Sequence, residues 1–216
     1  MIILKTESLT VRHSANSPLL SFPDITVKVK DKILLLGDSG SGKTSLLSVM
    51  AGLLQPTTGK ILIGDHDLYA MDIKKRDELR GKSFGFVFQT LHLLPSLTVA
   101  QNILLAADMA NIPPPEGRLK NLLSSLGLTD KAHSKPSQLS QGQQQRAALA
   151  RAIFNFPALI IADEPTSSLD DKNAAAVMDL LEQQAIESGS ALLVATHDSR
   201  IKNRFDQVID LAKEVA

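Results

Sequence analysis

The feature that most constrains this chain is a glycine-rich segment that lies between a buried strand and a helix. The segment fits the pattern G-x-x-x-x-G-K-[ST], follows the apolar run at residues 33–36, and precedes a helical pattern of Leu46, Leu47 and Met50. Its residues are Gly37, Asp38, Ser39, Gly40, Ser41, Gly42, Lys43 and Thr44. Glycines let consecutive backbone N–H groups turn toward phosphate oxygens, and the following helix N-terminus adds its positive end. The sequence therefore predicts a nucleoside triphosphate site on an α/β fold.

Two further unbroken apolar runs, at residues 159–162 and 191–195, are typical of strands that are covered on both faces in a parallel sheet. Each run ends at polar residues, Asp163 and Glu164 in one case and Thr196 and His197 in the other. Ligands collect at the carboxyl ends of strands in open α/β sheets. We therefore expect these residues to meet the glycine-rich segment in one crevice.

The remaining patterns predict how the chain is organised. Residues 25–30 alternate between apolar and polar, which indicates an antiparallel sheet near the N-terminus. From about Gln101 to Phe156, helical spacing replaces the strand pattern and predicts a helical lobe. A long amphipathic helix is predicted after Asp170. Its expected apolar face consists of Val177, Leu180, Leu181 and Ile186.

Composition excludes several classes of site and partner. Lys plus Arg and Asp plus Glu each total 23 of 216 residues, so the net charge is zero and no nucleic-acid partner is expected. The chain has no cysteine, which rules out disulfides and thiolate metal sites. No apolar run approaches the roughly 20 residues that a membrane helix needs, and the N-terminus turns polar too early for a signal peptide. We expect a cytoplasmic chain that reaches a membrane only through a partner.

The two acidic residues after the second apolar run suit different tasks, because neighbouring side chains on a strand point in different directions. Asp163 is predicted to join the Thr44 hydroxyl in a Mg²⁺ site. Glu164 is predicted to orient or deprotonate the attacking water, since phosphoryl transfer depends on positioning and charge. Lys43 adds a positive charge to the phosphate site.

A second predicted anion site lies before the helix pattern of residues 144–154. The segment Leu139-Ser140-Gln141-Gly142-Gln143 places the Ser140 hydroxyl and the Gly142 N–H at a helix N-terminus. Taken alone, such a segment more often does no more than cap a helix.

These motifs occur in the order seen in ABC-type ATPase subunits, which the chain resembles over essentially its whole length. The ordered motifs are residues 37–44, LSQGQQQR at 139–146, the strand ending in Asp163 and Glu164, Ser168-Leu169-Asp170, and His197. The resemblance implies a P-loop NTPase (RecA-like) core with a mostly parallel sheet, an N-terminal antiparallel β subdomain and an inserted helical subdomain. It also implies a single domain of residues 1–216, with residues 1–89 and 157–216 as the core and residues 90–156 as the helical subdomain.

The function that the resemblance implies is ATP hydrolysis, with Mg²⁺, coupled to work on a separate membrane subunit. In that family two subunits pair head to tail, and each ATP lies between the phosphate loop of one and the LSGGQ segment of the other. The segment Ser140, Gln141, Gly142 and Gln143 would then serve the nucleotide of a second copy. Ser45 would extend the phosphate loop.

Three further roles follow from the same resemblance. Gln89 is similar to the glutamine that reaches the metal and the attacking water and links the core to the helical subdomain. His197 resembles the histidine that contacts the γ-phosphate, and Asp170 resembles the aspartate that acts across the dimer interface. The other histidines are scattered without the spacing of a zinc site.

The chain departs from the family pattern at two positions. Gln141 stands where LSGGQ has its first glycine, while Ser140 and Gly142 are kept, so we expect activity to survive. The family stacks an aromatic ring on adenine near the N-terminus, and here the corresponding stretch, residues 11–13, offers only the imidazole of His13.

The segment around residues 84–102 is similar to the subgroup of lipoprotein-releasing, macrolide-exporting and cell-division ATPases. In this family a cytoplasmic helix of the membrane partner docks beside the Gln89 region, and residues 91–97 are expected either to supply that contact or to pack internally. Three alternative functions fit these features less well. A DNA-repair ATPase would carry a coiled-coil insert, a translation factor would fuse two cassettes, and a P-loop kinase or GTPase would leave residues 139–143 and His197 unexplained.

Overall fold

The computed structural model describes residues 1–166 and 169–211. In chain order its strands and α-helices are β1 (Ile2–Val11), β2 (Leu20–Ser21), β3 (Thr26–Lys28), β4 (Lys32–Leu36), α1 (Lys43–Met50), β5 (Thr58–Ile63), β6 (His66–Asp67), α2 (Ile73–Ser83), β7 (Phe84–Val87), α3 (Val99–Ala110), α4 (Arg118–Ser125), α5 (Gln141–Ile153), β8 (Leu159–Asp163), α6 (Asp171–Ser188), β9 (Ala191–Thr196) and β10 (Gln207–Asp210). Short 3₁₀ helices cover Thr129–Lys131, Pro136–Gln138 and Ser199–Arg204.

The N-terminal sheet is antiparallel, as the alternating pattern predicts. Strand β1 is its longest member and pairs with β2, β3 and β5, and β5 continues the sheet to β6. The predicted alternating segment forms β3, which covers only three residues of it. This sheet borders the crevice at the glycine-rich segment, because Leu20 of β2 lines its wall.

The second sheet is parallel throughout, with the strand order β10-β4-β9-β8-β7. All three predicted apolar runs form its central strands, β4, β8 and β9. The carboxyl ends are aligned, since Leu36 pairs with Thr196 and Asp163 pairs with Ala195. The polar residues that follow these strands therefore meet at one edge of the sheet, as expected for an open α/β sheet.

The unbroken apolar character of β4 follows from burial on both faces. Ile33 and Leu35 pack with the antiparallel sheet and α1, whereas Leu34 packs on the opposite face with the helices. Alternate side chains of a strand point to opposite faces, so a strand with two buried faces needs apolar residues at every position.

The segment between β7 and β8 is helical, as predicted. Residues 88–158 are all described and contain no strand. Helix α5 approaches β7 so closely that a Cβ atom at Gly85 would lie 2.2 Å from the Ala152 carbonyl oxygen. Arg151 fixes the loop that follows β7, because its guanidinium donates to the carbonyls of Leu91 and His92 at 2.8 and 2.7 Å.

Helix α6 forms as predicted, but its expected apolar face is partly wrong. Ile186 is 76% exposed, whereas the residues that pack inward are Ala174, Met178, Leu181 and Ala185. These four positions recur at intervals of four, three and four, the spacing of one helix face. Ile186 follows Ala185 by about 100° of helix rotation, which turns its side chain to the surface.

Candidate active site

The glycine-rich segment forms a loop between β4 and α1 whose conformation depends on glycine. Gly40 and Gly42 have φ values of 87° and 90°, in the left-handed region that disfavours other residues. Gly42 also caps α1 without any side-chain hydrogen bond. The first N–H groups of α1 therefore face the crevice with the positive end of the helix behind them, which favours an anion.

Lys43 lies within this loop and is almost fully buried. Its Nζ donates to the carbonyls of Gly37 and Asp38 at 2.7 and 3.0 Å, and it lies 3.4 Å from Oε1 of Glu164. The ammonium thus fixes the loop and brings a positive charge beside the acidic pair that follows β8.

Asp163 and Glu164 lie in different environments, although they are neighbours. Oδ2 of Asp163 accepts a hydrogen bond from the Thr44 hydroxyl at 2.8 Å, while its Oδ1 is buried with no hydrogen-bond partner among the described residues. Burial raises the pKa of Asp163 above its ordinary value, although the Thr44 hydrogen bond opposes this change. One oxygen of Asp163 is therefore an acceptor without a donor in this part of the molecule.

Glu164 is held by the end of the neighbouring strand. Its Oε2 accepts from the Thr196 hydroxyl at 2.8 Å, its Oε1 lies 3.0 Å from Nδ1 of His197, and its N–H donates to the Ala195 carbonyl at 2.8 Å. Burial acts to raise the pKa of Glu164, but the hydrogen bonds from His197 and Thr196 outweigh burial and lower it. Its backbone φ of 49° is in the left-handed region, which is unusual for glutamate. Glu164 is thus an oriented, ionised carboxylate at neutral pH.

These residues surround a cavity of about 590 Å³ at the carboxyl edge of the parallel sheet. The predicted site residues that line it are Asp38, Ser39, Gly40, Gly42, Lys43, Thr44, Ser45, Gln89, Glu164, His197 and His13. Gly37 and Asp163 touch this group through Lys43 and Thr44. Most of the phosphate-site residues and the acidic, histidine and glutamine residues predicted for hydrolysis are therefore brought together.

The segment at residues 140–143 lies elsewhere. Ser140, Gln141 and Gly142 line a second cavity, of about 390 Å³, which also reaches Gln89 and Glu164. Ser140 caps α5, because its hydroxyl accepts from the Gln143 N–H at 3.3 Å and the Gln143 side chain accepts from the Ser140 N–H at 2.9 Å. The helix-cap interpretation is confirmed, and α5 begins three residues earlier than the sequence pattern predicts.

Comparison with known proteins identifies the family. The model of the family described as "ABC transporter" matches residues 21–167. The lipoprotein-releasing system ATP-binding protein LolD of Legionella pneumophila (strain Paris) is 41% identical over 97% of this chain and 95% of the relative. The LolD protein of Xanthomonas oryzae pv. oryzae (strain MAFF 311018) is 34% identical over 97% of this chain and 88% of the relative.

The chain belongs to the ABC transporter family. It is an ATP-binding, ATP-hydrolysing subunit of the kind that powers a membrane transporter. The solved structure of the ATP-binding cassette MJ0796, a dimer bound to ADP and phosphate, matches 97% of this chain and 94% of its own length, with 31% identity and a TM-score of 0.83. CbiO1 of Clostridium perfringens, part of the ABC transporter complex cbiONQ, matches 97% of this chain and 84% of its own length, with 29% identity and a TM-score of 0.84. The predicted family and fold class are confirmed.

In this ABC subunit no helix among the described residues is long and apolar enough to cross a membrane. Asp170 caps α6, accepting from the backbone N–H and the side-chain amide of Asn173 at 2.9 and 2.8 Å, and so lies at the start of that helix. Ser168, which belongs to the same predicted motif, lies outside the described residues.

His13 lies at the mouth of the larger cavity, where its Nε2 is 2.8 Å from the Ser45 hydroxyl. The ABC subunit therefore holds the candidate adenine contact, His13, against the first helix of the phosphate site. Its role toward adenine stays a prediction.

Sequence reasoning missed two contributors to the site. Thr196 was expected at the crevice without a role, yet it is fully buried and holds Glu164. Arg200 was not singled out, although it bonds Asp198 and contacts Asp171. For Thr196 the sequence did offer a signal, namely a threonine directly before a histidine at the end of a buried strand. For Arg200, Asp198 lies only two residues earlier, but its contact with Asp171 has no signal in local sequence because that residue lies at the start of α6.

Proposed function

We propose that this chain forms one half of a paired ATPase, in which the phosphate loop of one copy and residues Ser140 and Gly142 of another enclose each ATP. The observation that carries this proposal is the separation of the two predicted phosphate-binding segments. Residues 38–40 and 42–45 line one cavity and residues 140–142 line another, and the two cavities meet at Gln89 and Glu164. A nucleotide held by the loop therefore leaves the helix N-terminus at Ser140 available to a nucleotide from a second copy.

Within each half, the chain's own residues position the phosphates and the water. The N–H groups of the loop and the Lys43 ammonium bind the phosphate oxygens. The ammonium then donates to phosphate in place of the carbonyls of Gly37 and Asp38. Glu164 orients the attacking water and accepts its proton, and His197 contacts the γ-phosphate. Support comes from the contacts of Glu164 with Thr196 and His197, which hold its carboxylate in one orientation. Catalysis of this kind depends on positioning and charge.

The residues present also fit Mg²⁺. Thr44 and Asp163 would hold the ion, with Gln89 reaching it from the end of β7. The buried Oδ1 of Asp163, which has no hydrogen-bond partner among the described residues, is an oxygen ligand of the type that Mg²⁺ prefers. When bound, the ion supplies positive charge that neutralises phosphate oxygens.

The membrane work that we propose is the release of lipoproteins from the membrane, carried out at its cytoplasmic face through an integral membrane subunit. Support comes from the relatives named as lipoprotein-releasing system ATP-binding proteins, which match 97% of the chain. The similarity of residues 84–102 to that subgroup agrees with this assignment.

We assign residues 90–156 to a helical subdomain and place the partner's cytoplasmic helix in the groove where this part meets the core. The groove encloses about 350 Å³ and includes Leu53 and Met109, whose side chains are 49% and 69% exposed. Residues 91–97 divide between the two expected roles, since Leu93 packs on the core and Leu94 is 43% exposed.

A Glu164→Gln variant tests the paired site. We expect it to bind ATP as the wild type does, to form a stable dimer with ATP and Mg²⁺, and to hydrolyse ATP at least ~100-fold more slowly, the scale of losing a positioned base. Glu187→Gln on the surface of α6 is a matched control and should keep wild-type turnover. A monomeric mass at high protein concentration would contradict the pairing, and near-normal hydrolysis would remove Glu164 from its role.

Pull-down of the full chain from detergent extract tests the membrane assignment. We expect an integral membrane protein that also binds a lipoprotein, and a Met109→Asp variant should lose it while keeping its own ATP hydrolysis. Recovery of ribosomes or DNA in its place would contradict the transport function. Recovery of a transporter that carries another substrate would contradict the lipoprotein assignment alone.

A further inference from the structure

One guanidinium connects two segments that flank the active site. Arg200 lies in the 3₁₀ helix Ser199–Arg204, directly after the His197 segment. Its Nε and Nη2 donate to the two carboxylate oxygens of Asp198 at 2.8 and 2.7 Å, a bidentate arrangement. Its Nη1 contacts the carboxylate of Asp171, the first residue of α6. Arg200 therefore joins the histidine segment to the start of α6.

Asp198 is a fixed point in this arrangement. Its side chain is 7% exposed and also accepts from the Thr166 hydroxyl at 3.3 Å and from the Arg200 N–H at 3.0 Å. Its hydrogen bonds with Arg200 lower the pKa of Asp198 below the ordinary value, so the carboxylate stays ionised at neutral pH.

The connection continues from Asp198 to the catalytic carboxylate. The Asp198 N–H donates to the Thr196 hydroxyl oxygen at 3.0 Å, and the Thr196 hydroxyl donates to Oε2 of Glu164 at 2.8 Å. Arg200 thus fixes the side chain of Asp198, and the backbone N–H of the same residue bonds the Thr196 hydroxyl that holds Glu164. Arg200 therefore acts on Glu164 by fixing the position of Asp198 and, through its backbone, of the Thr196 hydroxyl.

We propose that Arg200 is a positioning residue that couples the start of α6 to Glu164, so that contact of the second copy with Asp170 sets the orientation of the catalytic carboxylate. The inference rests on the proposed paired site, because Asp170 directly precedes Asp171 in the chain. The coupling makes the Glu164 geometry depend on whether the second copy is in place.

A second arginine of the same 3₁₀ helix provides a matched control. Arg204 also bonds α6, since its Nη1 lies 2.7 Å from Asp179 and 3.1 Å from Glu182. It holds the same two elements together, but through Asp179 and Glu182 of α6 and not through the Asp198 carboxylate that Arg200 bonds. Arg204→Ala therefore reports the loss of packing between the elements without loss of the coupling.

The test measures kcat and KM for ATP with Mg²⁺, together with Tm, for the full chain. We expect Arg200→Ala to lower kcat by about 3- to 30-fold, the range for a residue within a coupling network, with KM within about twofold of the wild-type value. Arg200→Lys should restore part of kcat, because one ammonium reaches one carboxylate. Asp171→Asn should also lower kcat, and the double variant with Arg200→Ala should lose less than the sum of the two single losses in free energy. Arg204→Ala should lower Tm and keep kcat.

Equal kcat values for wild type and Arg200→Ala would overturn the inference, and so would an equal loss of kcat in Arg204→Ala. Failure of the proposed paired site gives a different result. In that case the wild-type turnover per subunit would not rise with protein concentration, and the Glu164→Gln variant would stay monomeric with ATP.

Discussion

Replacing Thr196 with valine tests how the active site orients its carboxylate. The side chain is fully buried, and valine has nearly its shape, so the substitution removes the hydroxyl and little else. Two hydrogen bonds are lost, the one from the hydroxyl to Glu164 at 2.8 Å and the one from the Asp198 N–H at 3.0 Å. The first bond is made to the charged carboxylate of Glu164. Loss of the second leaves the buried N–H of Asp198 without its acceptor.

The magnitude follows from these two losses. An unsatisfied buried group costs about 1–3 kcal/mol, so we expect the free energy of unfolding to fall by about 2 kcal/mol. For a chain of this size that fall lowers Tm by about 4–8 °C. We expect kcat to fall about tenfold, corresponding to about 1.4 kcal/mol of transition-state stabilisation, because Glu164 keeps its charge but loses an anchor.

The assay combines thermal unfolding with steady-state ATP hydrolysis. Thr196→Ser keeps the hydroxyl and should retain most of the wild-type kcat. Thr166→Val is the matched control, because Thr166 is equally buried and its hydroxyl donates to Asp198 at 3.3 Å, whereas the Thr196 hydroxyl donates directly to Glu164. The reasoning is refuted if Thr196→Val hydrolyses ATP at the wild-type rate, or if Thr166→Val loses as much kcat.

Three further predictions concern other parts of the molecule. Gly142→Ala should leave the Tm of the monomer within about 1 °C, because its Cβ meets no atom within 4 Å, and should weaken the ATP-dependent dimer; an unchanged dimer in sedimentation would contradict the role of Gly142 in pairing. Gly85→Ala should lower Tm by more than about 4 °C, because the new Cβ would lie 2.2 Å from a carbonyl oxygen, and a wild-type Tm would show that α5 is free to move away. Burial raises the pKa of Tyr69 to about 12, so the stability contributed by this group is present below pH 10 and is lost as the pH rises toward 12. Tyr69 is the single tyrosine in a chain without tryptophan, so phenolate absorbance should show a midpoint near 12 in the native chain and near 10 in urea, and equal midpoints would contradict the burial.

Local sequence was sufficient for the phosphate loop and the parallel sheet. The loop needs glycine at Gly40 and Gly42 for its backbone angles, and β4 needs apolar residues at every position because both faces are buried. Both requirements act over a few residues and are visible in the order of the amino acids.

Features that depend on distant parts of the chain were harder to predict from the sequence. The sequence pattern assigns Ile186 to the packed face of α6, but the face that packs inward is that of Ala174, Met178, Leu181 and Ala185, and Ile186 is exposed. Arg200 contacts Asp171 at the start of α6, and no periodicity relates these two residues. Whether residues 140–143 bind a nucleotide depends on a second molecule, which the order of residues in one chain does not contain.

At Glu164 the residue that hydrolysis needs differs from the residue that would make the folded chain most stable. A φ of 49° costs a residue with a side chain roughly 1–2 kcal/mol, and glycine would largely escape that cost. Selection for hydrolysis must therefore maintain a glutamate where selection for durability alone would favour glycine. A duplicated copy that had lost its catalytic duty would be expected to drift toward glycine or asparagine at this position, becoming more robust as it became inactive.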